Sequence, residues 1–386
     1  MTKNILNVGV NDHDIDLFEG QYVVPNGMSY NAYLILDEKI AVLDTVDVRK
    51  ADGFFTNLSA ALGDRTPDYL IVSHVEPDHA SAVKLFTEKY PTATLVGNAK
   101  TFQYLAQYFD LTGTRQQVVK DGDSLSLGQH QLTFVFAPMV HWPEVMFTYE
   151  STEKVLFSAD GFGKFGALDV EEDWDCEARR YYFNIVGKYG PQVQAVLKKA
   201  AGLDIAAICP LHGPILTDTI PHVLEKYQIW SSYCVESEGV FIAYTTLHGN
   251  TAQAAHQLKD ALLKHGCPHV SMADLARSDA AEALEDAFRY GKVVLAAPSY
   301  NAGVAPFMED FLHHLKGKNY QNRTIALIEN ASWAPSAAKA MREILSTMKD
   351  ITILDPVVTI RGAVKPADLD ALDSLAAALV AENTPS

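Results

Sequence analysis

The hexapeptide His74-Val75-Glu76-Pro77-Asp78-His79 packs four side chains able to hold a cation into six residues. It follows the apolar run Tyr69-Leu70-Ile71-Val72, which places it in a loop at the C-terminal end of a strand. A loop kinked by Pro77 lets these side chains converge, whereas a strand would alternate them across its two faces. The competing reading is a polar loop that opens a helix, with Asp78 as its cap. Three later positions weigh against that. His141 lies in Pro138-Met139-Val140-His141-Trp142-Pro143, after a run ending at Phe136. Asp160 follows Val155-Leu156-Phe157, and His212 follows Ile208-Cys209-Pro210-Leu211. Each is a ligand type at the end of an apolar strand, beside a turn residue. Together they make four His (74, 79, 141, 212), two Asp (78, 160) and Glu76. That is too many for one tetrahedral zinc but suits two metals sharing a carboxylate, roughly 3.5–4 Å apart. Three carboxylates and no thiolate suit iron or manganese as well as zinc.

A second chemistry is written in the C-terminal half. The turn Thr245-Thr246-Leu247-His248-Gly249-Asn250-Thr251 follows a strand and opens a helix. Hydroxyls, a glycine and free backbone N–H groups at a helix N-terminus form a phosphate cradle. There is no Gly-x-Gly-x-x-Gly and no Lys after the glycine, so neither a dinucleotide fingerprint nor a P-loop fits. The uncharged loop suits a monophosphate and resembles the flavodoxin loop that binds the FMN phosphate. Two more loops are expected at the same sheet edge: Pro298-Ser299-Tyr300-Asn301-Ala302-Gly303, and Glu329-Asn330-Ala331-Ser332-Trp333. The first is close to the flavodoxin-type Gly-Ser-Pro-Thr-x-Asn pattern. The second keeps the Trp of Gly-Ser-Tyr-Gly-Trp at Trp333 but departs from it at Glu329, Asn330, Ala331 and Ser332.

The elements that must carry these loops fall into two rhythms. Up to about residue 160 short strands alternate with turns, interrupted by helical stretches at 48–62, 80–89 and 100–109. A helical pattern runs over 176–202, and 205–209 is another buried strand. After Glu238 five strands alternate with five helices, the pattern of a doubly wound parallel sheet. The last β run is read as Ile351–Val358. The expected domains are 1–238 and 239–386. Arg179-Arg180-Tyr181-Tyr182-Phe183 reads as core plus a surface basic pair, Cys209 as a small buried hydrophobe, Trp142 as packing around the metal pocket, and Glu236 and Glu238 as a solvated hinge.

Composition excludes other classes. With 31 Lys+Arg against 48 Asp+Glu the net charge is −17, the wrong sign for a nucleic-acid surface. Four scattered cysteines, at 176, 209, 234 and 267, exclude a disulfide scaffold, a Cys-x-x-Cys motif and a fused rubredoxin built from two Cys pairs. No apolar run approaches the roughly 20 residues of a membrane span, and the N-terminus lacks a secretory apolar core. A cytoplasmic location is expected.

The ligand set, in this order and spacing, resembles the metallo-β-lactamase-like domain of the flavodiiron proteins. The wider superfamily carries His-x-His-x-Asp-His; Glu76 in place of the second His is the flavodiiron mark. The resemblance runs over nearly the whole chain. It implies an N-terminal αββα sandwich followed by a flavodoxin-like five-stranded sheet. It also implies FMN and two irons. His74, Glu76 and His141 would hold one iron, Asp78, His79 and His212 the other, and Asp160 would bridge them; family members differ in whether the residue matching His79 ligates. The implied activity is reduction of O2 to water, of NO to N2O, or both. Electrons would come through FMN from an external donor, a rubredoxin or a flavin reductase. A head-to-tail homodimer or a dimer of dimers is implied as well. Two alternatives stay open: a zinc-dependent hydrolase with an appended flavodoxin-like module, and a redox carrier using only the flavodoxin half.

Overall fold

The computed structural model describes residues 4–381, which form two compact units that divide after Gln228. In the first unit, two sheets face each other. One has the order β1 (Ile5–Asn7), β2 (Tyr33–Ile35), β3 (Ala41–Leu43), β4 (Tyr69–Ile71), β5 (Thr94–Gly97) and β6 (Arg115–Val118). The other runs β7 (Ser124–Ser126), β8 (Gln131–Phe136), β9 (Met146–Glu150), β10 (Val155–Phe157) and β11 (Ala207–Cys209). Their inward residues, among them Tyr33, Leu43, Ile71 and Val96 from one sheet and Leu132, Phe134, Met146, Phe157 and Cys209 from the other, make one buried core. This is the expected sandwich.

Pairing direction decides where the ligand loops go. β8 is antiparallel to β9, β9 to β10, and β10 is parallel to β11. The C-terminal ends of β8, β10 and β11 therefore lie at one edge of their sheet, and these ends lead to His141, Asp160 and His212. In the facing sheet, β4 leads to His74. After it, Pro77 sits in the first turn of the short helix Pro77–Ala80, where its missing N–H costs nothing. Glu76, not Asp78, occupies the N-cap position, and no side chain caps this turn. Asp78 is thus left for other work.

The second unit carries a parallel sheet in the order β13 (Val270–Asp274), β12 (Ser237–Tyr244), β14 (Tyr290–Tyr300), β15 (Gln321–Asn330) and β16 (Lys349–Ile353). This is the doubly wound order with its switch beside β12. A last strand, β17 (Val358–Ile360), also pairs with β15.

Several elements differ from the sequence reading. The 351–358 run is two strands, because Pro356, which has no backbone N–H, interrupts the ladder between β16 and β17. The 176–202 stretch is a helix Trp174–Tyr181, a π turn Tyr182–Val186, a 3-10 turn Gly187–Tyr189 and a helix Gly190–Ala200. The break falls at the glycines and Pro191. Arg179 and Arg180 are buried rather than a surface pair. The Arg180 guanidinium lies 4.6 Å from the centre of the Phe165 ring and bonds the Val23 carbonyl, so protein groups replace its water. The division between units falls after Gln228, ahead of the change of rhythm at Glu238. In the stretch between them, the Tyr233 carbonyl accepts from buried Arg323 at 2.8 Å. Glu236 is not a free hinge residue: it accepts a 2.6 Å hydrogen bond from the Trp230 indole.

Candidate metal centre and flavin site

The structure brings all seven predicted ligand side chains together, in two groups. His74, Glu76, His141 and Asp160 form one, and Asp78, His79 and His212 the other; within each, one ligand atom per residue lies within 4.8 Å of the rest. In the first group, His141 Nε2 lies 2.9 Å from Glu76 Oε2 and 3.1 Å from Asp160 Oδ2. His74 Nε2 is 3.1 Å from the same Glu76 oxygen and 3.4 Å from Asp160 Oδ2. The other Asp160 oxygen, Oδ1, faces the second group, 3.2 Å from His79 Nε2 and 3.8 Å from His212 Nε2. Asp78 Oδ2 lies 3.2 Å from His212 Nε2 and 3.3 Å from His79 Nε2. One carboxylate thus serves both groups with different oxygens.

The donor set fits metal better than it fits itself. His79 Nε2 and His212 Nε2 point at each other across 3.0 Å. Both oxygens of Asp78 and Oδ1 of Asp160 are buried without a hydrogen bond. Such groups cost on the order of 1–3 kcal/mol each, more when charged, unless something replaces their water. A divalent cation in each group does so. Two of the outer ring nitrogens are already committed: His74 Nδ1 faces Glu144 Oε1 at 2.8 Å, and His212 Nδ1 faces the Ser29 carbonyl at 2.7 Å. Donation outward leaves Nε2 as a lone pair facing inward.

Charge follows from the same contacts. Burial opposes a cation on His74, yet the Asp160 charge and the Glu144 and Glu76 hydrogen bonds prevail and raise its pKa well above the ordinary value. His141 is raised to about 9 against burial by its bonds to Asp160 and Glu76. Burial would raise Glu76 and Asp160, but the neighbouring imidazoles hold both below the ordinary carboxylate range. In the first group His74 and His141 are thus held toward the imidazolium form beside Glu76 and Asp160, and metal must displace protons to enter there.

Sequence reasoning missed the residues behind the ligands. Fully buried Glu144 accepts from both His74 and the Val75 N–H, the latter at 2.9 Å. Its position three residues after His141 was an available signal. Asp44 accepts from the Ser73 N–H at 2.7 Å and fixes the start of the hexapeptide. Asn31 donates to the Pro210 and Gly213 carbonyls at 2.9 and 2.8 Å and pins the His212 loop. Ser29 acts through its carbonyl on His212 and through its hydroxyl, which accepts from the Gly213 N–H at 2.7 Å, and no sequence pattern marks either. Trp142 packs edge-on against His74 at 5.3 Å, as expected, and Phe18 against His212 at 5.3 Å.

In the second unit, the three expected loops leave the C-terminal ends of β12, β14 and β15. Gly249, with φ 88°, precedes the fifteen-residue helix Asn250–Lys264; no side chain caps that helix, so its first amides stay open to an anion. Thr246 Oγ1 accepts from the Gly249 N–H at 3.0 Å and shapes the turn. Leu247 and His248 are exposed and Thr251 is buried. Ser299, Tyr300, Asn301, Ser332 and Trp333 line one open cavity of about 320 Å³. Trp333 is 80% exposed, a flat apolar face with nothing of its own chain over it. Pro298, Gly303 and Asn330 are not in its lining. The Asn330 amide is engaged at both ends with the Gly362 backbone, at 2.9 and 3.1 Å. The Ser299 hydroxyl accepts from Ser336 and Ala337 N–H groups at 2.9 and 3.2 Å. Both side chains hold the loops in place.

A sandwich with a paired metal centre, joined to a doubly wound flavin-type sheet, defines a two-cofactor redox protein. A family model described as ODP family beta lactamase matches residues 28–213. The chain is 31% identical over 379 residues to the nitric oxide reductase of Moorella thermoacetica, covering 96% of this chain and 94% of that protein. Among solved structures, the rubredoxin oxygen:oxidoreductase of Desulfovibrio gigas superposes with a TM-score of 0.92 at 27% identity, over 98% of this chain and 96% of that one. The flavodiiron protein of Giardia intestinalis does so with 0.90 at 25% identity, over 98% and 95%. The chain belongs to the flavodiiron protein family.

Proposed function

We propose that this protein is an oxidoreductase that reduces O2 to water, NO to N2O, or both, at a non-haem diiron centre. His74, Glu76 and His141 would hold one iron, Asp78, His79 and His212 the other, and Asp160 would bridge them. The phosphate of FMN would sit on the Thr246–Thr251 turn, with its ring in the Tyr300–Trp333 cavity. The observation that carries the reading is Asp160, whose two oxygens address two separate His-carboxylate groups.

Iron and FMN supply the electron transfers. The chain's own residues supply position. Glu144 and the Ser29 carbonyl hold the imidazoles of His74 and His212 with Nε2 inward. Asp44 and Asn31 fasten the loops that carry them. Trp142, Phe18 and Tyr181 pack against the imidazoles, while an open cavity lined by Phe18, Glu76 and Asp78 leads to the carboxylates. A constellation fixed in this way needs no reorganisation when a small neutral gas arrives.

The finer proposals are these. The metal-binding region is residues 1–238 and the flavin-binding region 239–386. The donor is an external redox protein of rubredoxin type or a flavin reductase; a relative named rubredoxin oxygen:oxidoreductase supports the former. The working unit is a head-to-tail homodimer, or a dimer of dimers, in which one subunit's flavin serves its partner's metals. The site of action is the cytoplasm, a reducing compartment that suits cysteines at 176, 209, 234 and 267 held outside any disulfide. The deciding experiment quantifies iron, zinc and FMN in the purified protein, then measures anaerobic reduction followed by separate O2 and NO consumption. Two irons, one FMN and turnover of at least one gas are expected. Zinc without flavin, or a fully loaded protein that consumes neither gas, overturns the reading.

A further inference from the structure

Glu329 is the last residue but one of strand β15, which leads into the loop that lines the flavin cavity. It is buried, and the next residue but one, Ala331, lines that cavity. In register it pairs with Ala297 on one side and Thr359 on the other, so it sits in the middle of the sheet at the edge where the three loops emerge. Its Oε2 accepts from the Ala338 N–H at 3.0 Å and its Oε1 from the Thr359 hydroxyl at 2.9 Å. Among the described residues no Lys or Arg pairs with it.

Ala338 belongs to the first turn of the helix Ala337–Leu345, whose N-terminus follows the cavity-lining segment 331–336. A helix N-terminus carries roughly half a positive charge and would favour a negative group placed near it. Two-electron reduction of FMN by an outside reductant takes up one proton and leaves the ring one unit more negative. An uncapped helix end here would therefore favour the reduced flavin. Instead a full carboxylate occupies it, and low-dielectric surroundings screen that charge weakly.

We infer that Glu329 is a potential-setting residue: its carboxylate cancels the positive end of the helix Ala337–Leu345 and holds the flavin potential down. The consequence is a reduced flavin that gives up its electrons more readily to the metals. This rests on the FMN site proposed above.

The test is a spectroscopic redox titration of the iron- and FMN-loaded protein, with the dissociation constant for FMN measured alongside. Glu329→Gln keeps shape and a hydrogen-bond acceptor but removes the charge. The reduction equilibrium should shift about tenfold toward the reduced form, ~30 mV upward for a two-electron couple. Thr359→Val withdraws one of the two donors, leaves more of the charge uncompensated, and should move the potential the other way. Opposite shifts with FMN affinity little changed are expected. Unchanged potentials, or shifts of the same sign accompanied by weakened FMN binding, overturn the inference and leave Glu329 as a loop fastener. If Glu329→Gln fails to fold, Thr359→Val decides alone: a downward shift supports the inference and no shift overturns it. A wild-type protein without a flavin spectrum overturns both the inference and the reading on which it rests, and that outcome is visible before any variant is made.

Discussion

The two sites of this chain are built on opposite plans. The metal centre is made of side chains: seven ligands from four loops, nearly all buried, with acids and imidazoles 2.9–3.4 Å apart across the first group. The flavin site is made of loops, with an uncapped helix start at Gly249, side chains such as Asn330 and Ser299 that tie backbone to backbone, and two exposed aromatics. A cation must be met by full charges and lone pairs, because burying carboxylates unpaired is costly. A large, flat, singly phosphorylated ligand can be met by amides and apolar surface. The first plan demands particular residue types; the second tolerates substitution wherever backbone geometry survives.

That contrast can be broken at either end. The largest effect is expected from Asp160→Ala, which removes the one carboxylate common to both metal groups. Iron per chain should fall from two to below one and gas consumption by at least about a hundredfold, with the flavin spectrum intact. Retention of two irons would show that the bridge is dispensable. Glu144→Gln should weaken iron binding about 10- to 100-fold, since it loosens the Nδ1 partner of His74, again without touching FMN. Chelator competition on the reduced protein measures it.

At the other site, Trp333→Ala should weaken FMN binding only several-fold, because one aromatic contact is worth about 0.5–1.5 kcal/mol. Iron content should stay at two; fluorescence titration with FMN and metal analysis read both numbers. The most diagnostic effect is in pH. The Asp160 and Glu76 carboxylates raise His141 to about 9 against burial, so its protonated fraction grows as pH falls below that value. Protons then compete with metal, and iron affinity should decline steadily from pH 9 to pH 6 and level off above 9. Calorimetry in buffers of different ionisation heat should show proton release on metal uptake. FMN affinity should be nearly flat over the same range; a parallel decline would mean that the two sites do not differ as described.

The same contrast explains what could be read in advance. Ligand types at strand ends announced the metal centre, and all seven converge, because no other arrangement makes four His and three acids useful at such positions. The alternating rhythm after Glu238 announced the parallel sheet. The short strands were harder: Met146–Glu150 and Arg115–Val118 span too few residues for a period to show, and they exist because neighbouring strands supply their hydrogen bonds. The Arg179-Arg180 pair looked like surface because charge usually is, and only the fold brings Phe165 and the Val23 carbonyl to Arg180. Glu144 and Ser29 gave little or no local signal, since their role is defined by what reaches them across the sandwich. By itself, then, the sequence determined which chemistry this protein carries, because residue type and strand-end position are local properties. Tertiary structure alone decided which oxygen of Asp160 faces which group, which nitrogens point inward, and that the Glu329 carboxylate sits on the end of the helix Ala337–Leu345. Those depend on distances between segments far apart in the chain, which the packing of sheets and helices sets.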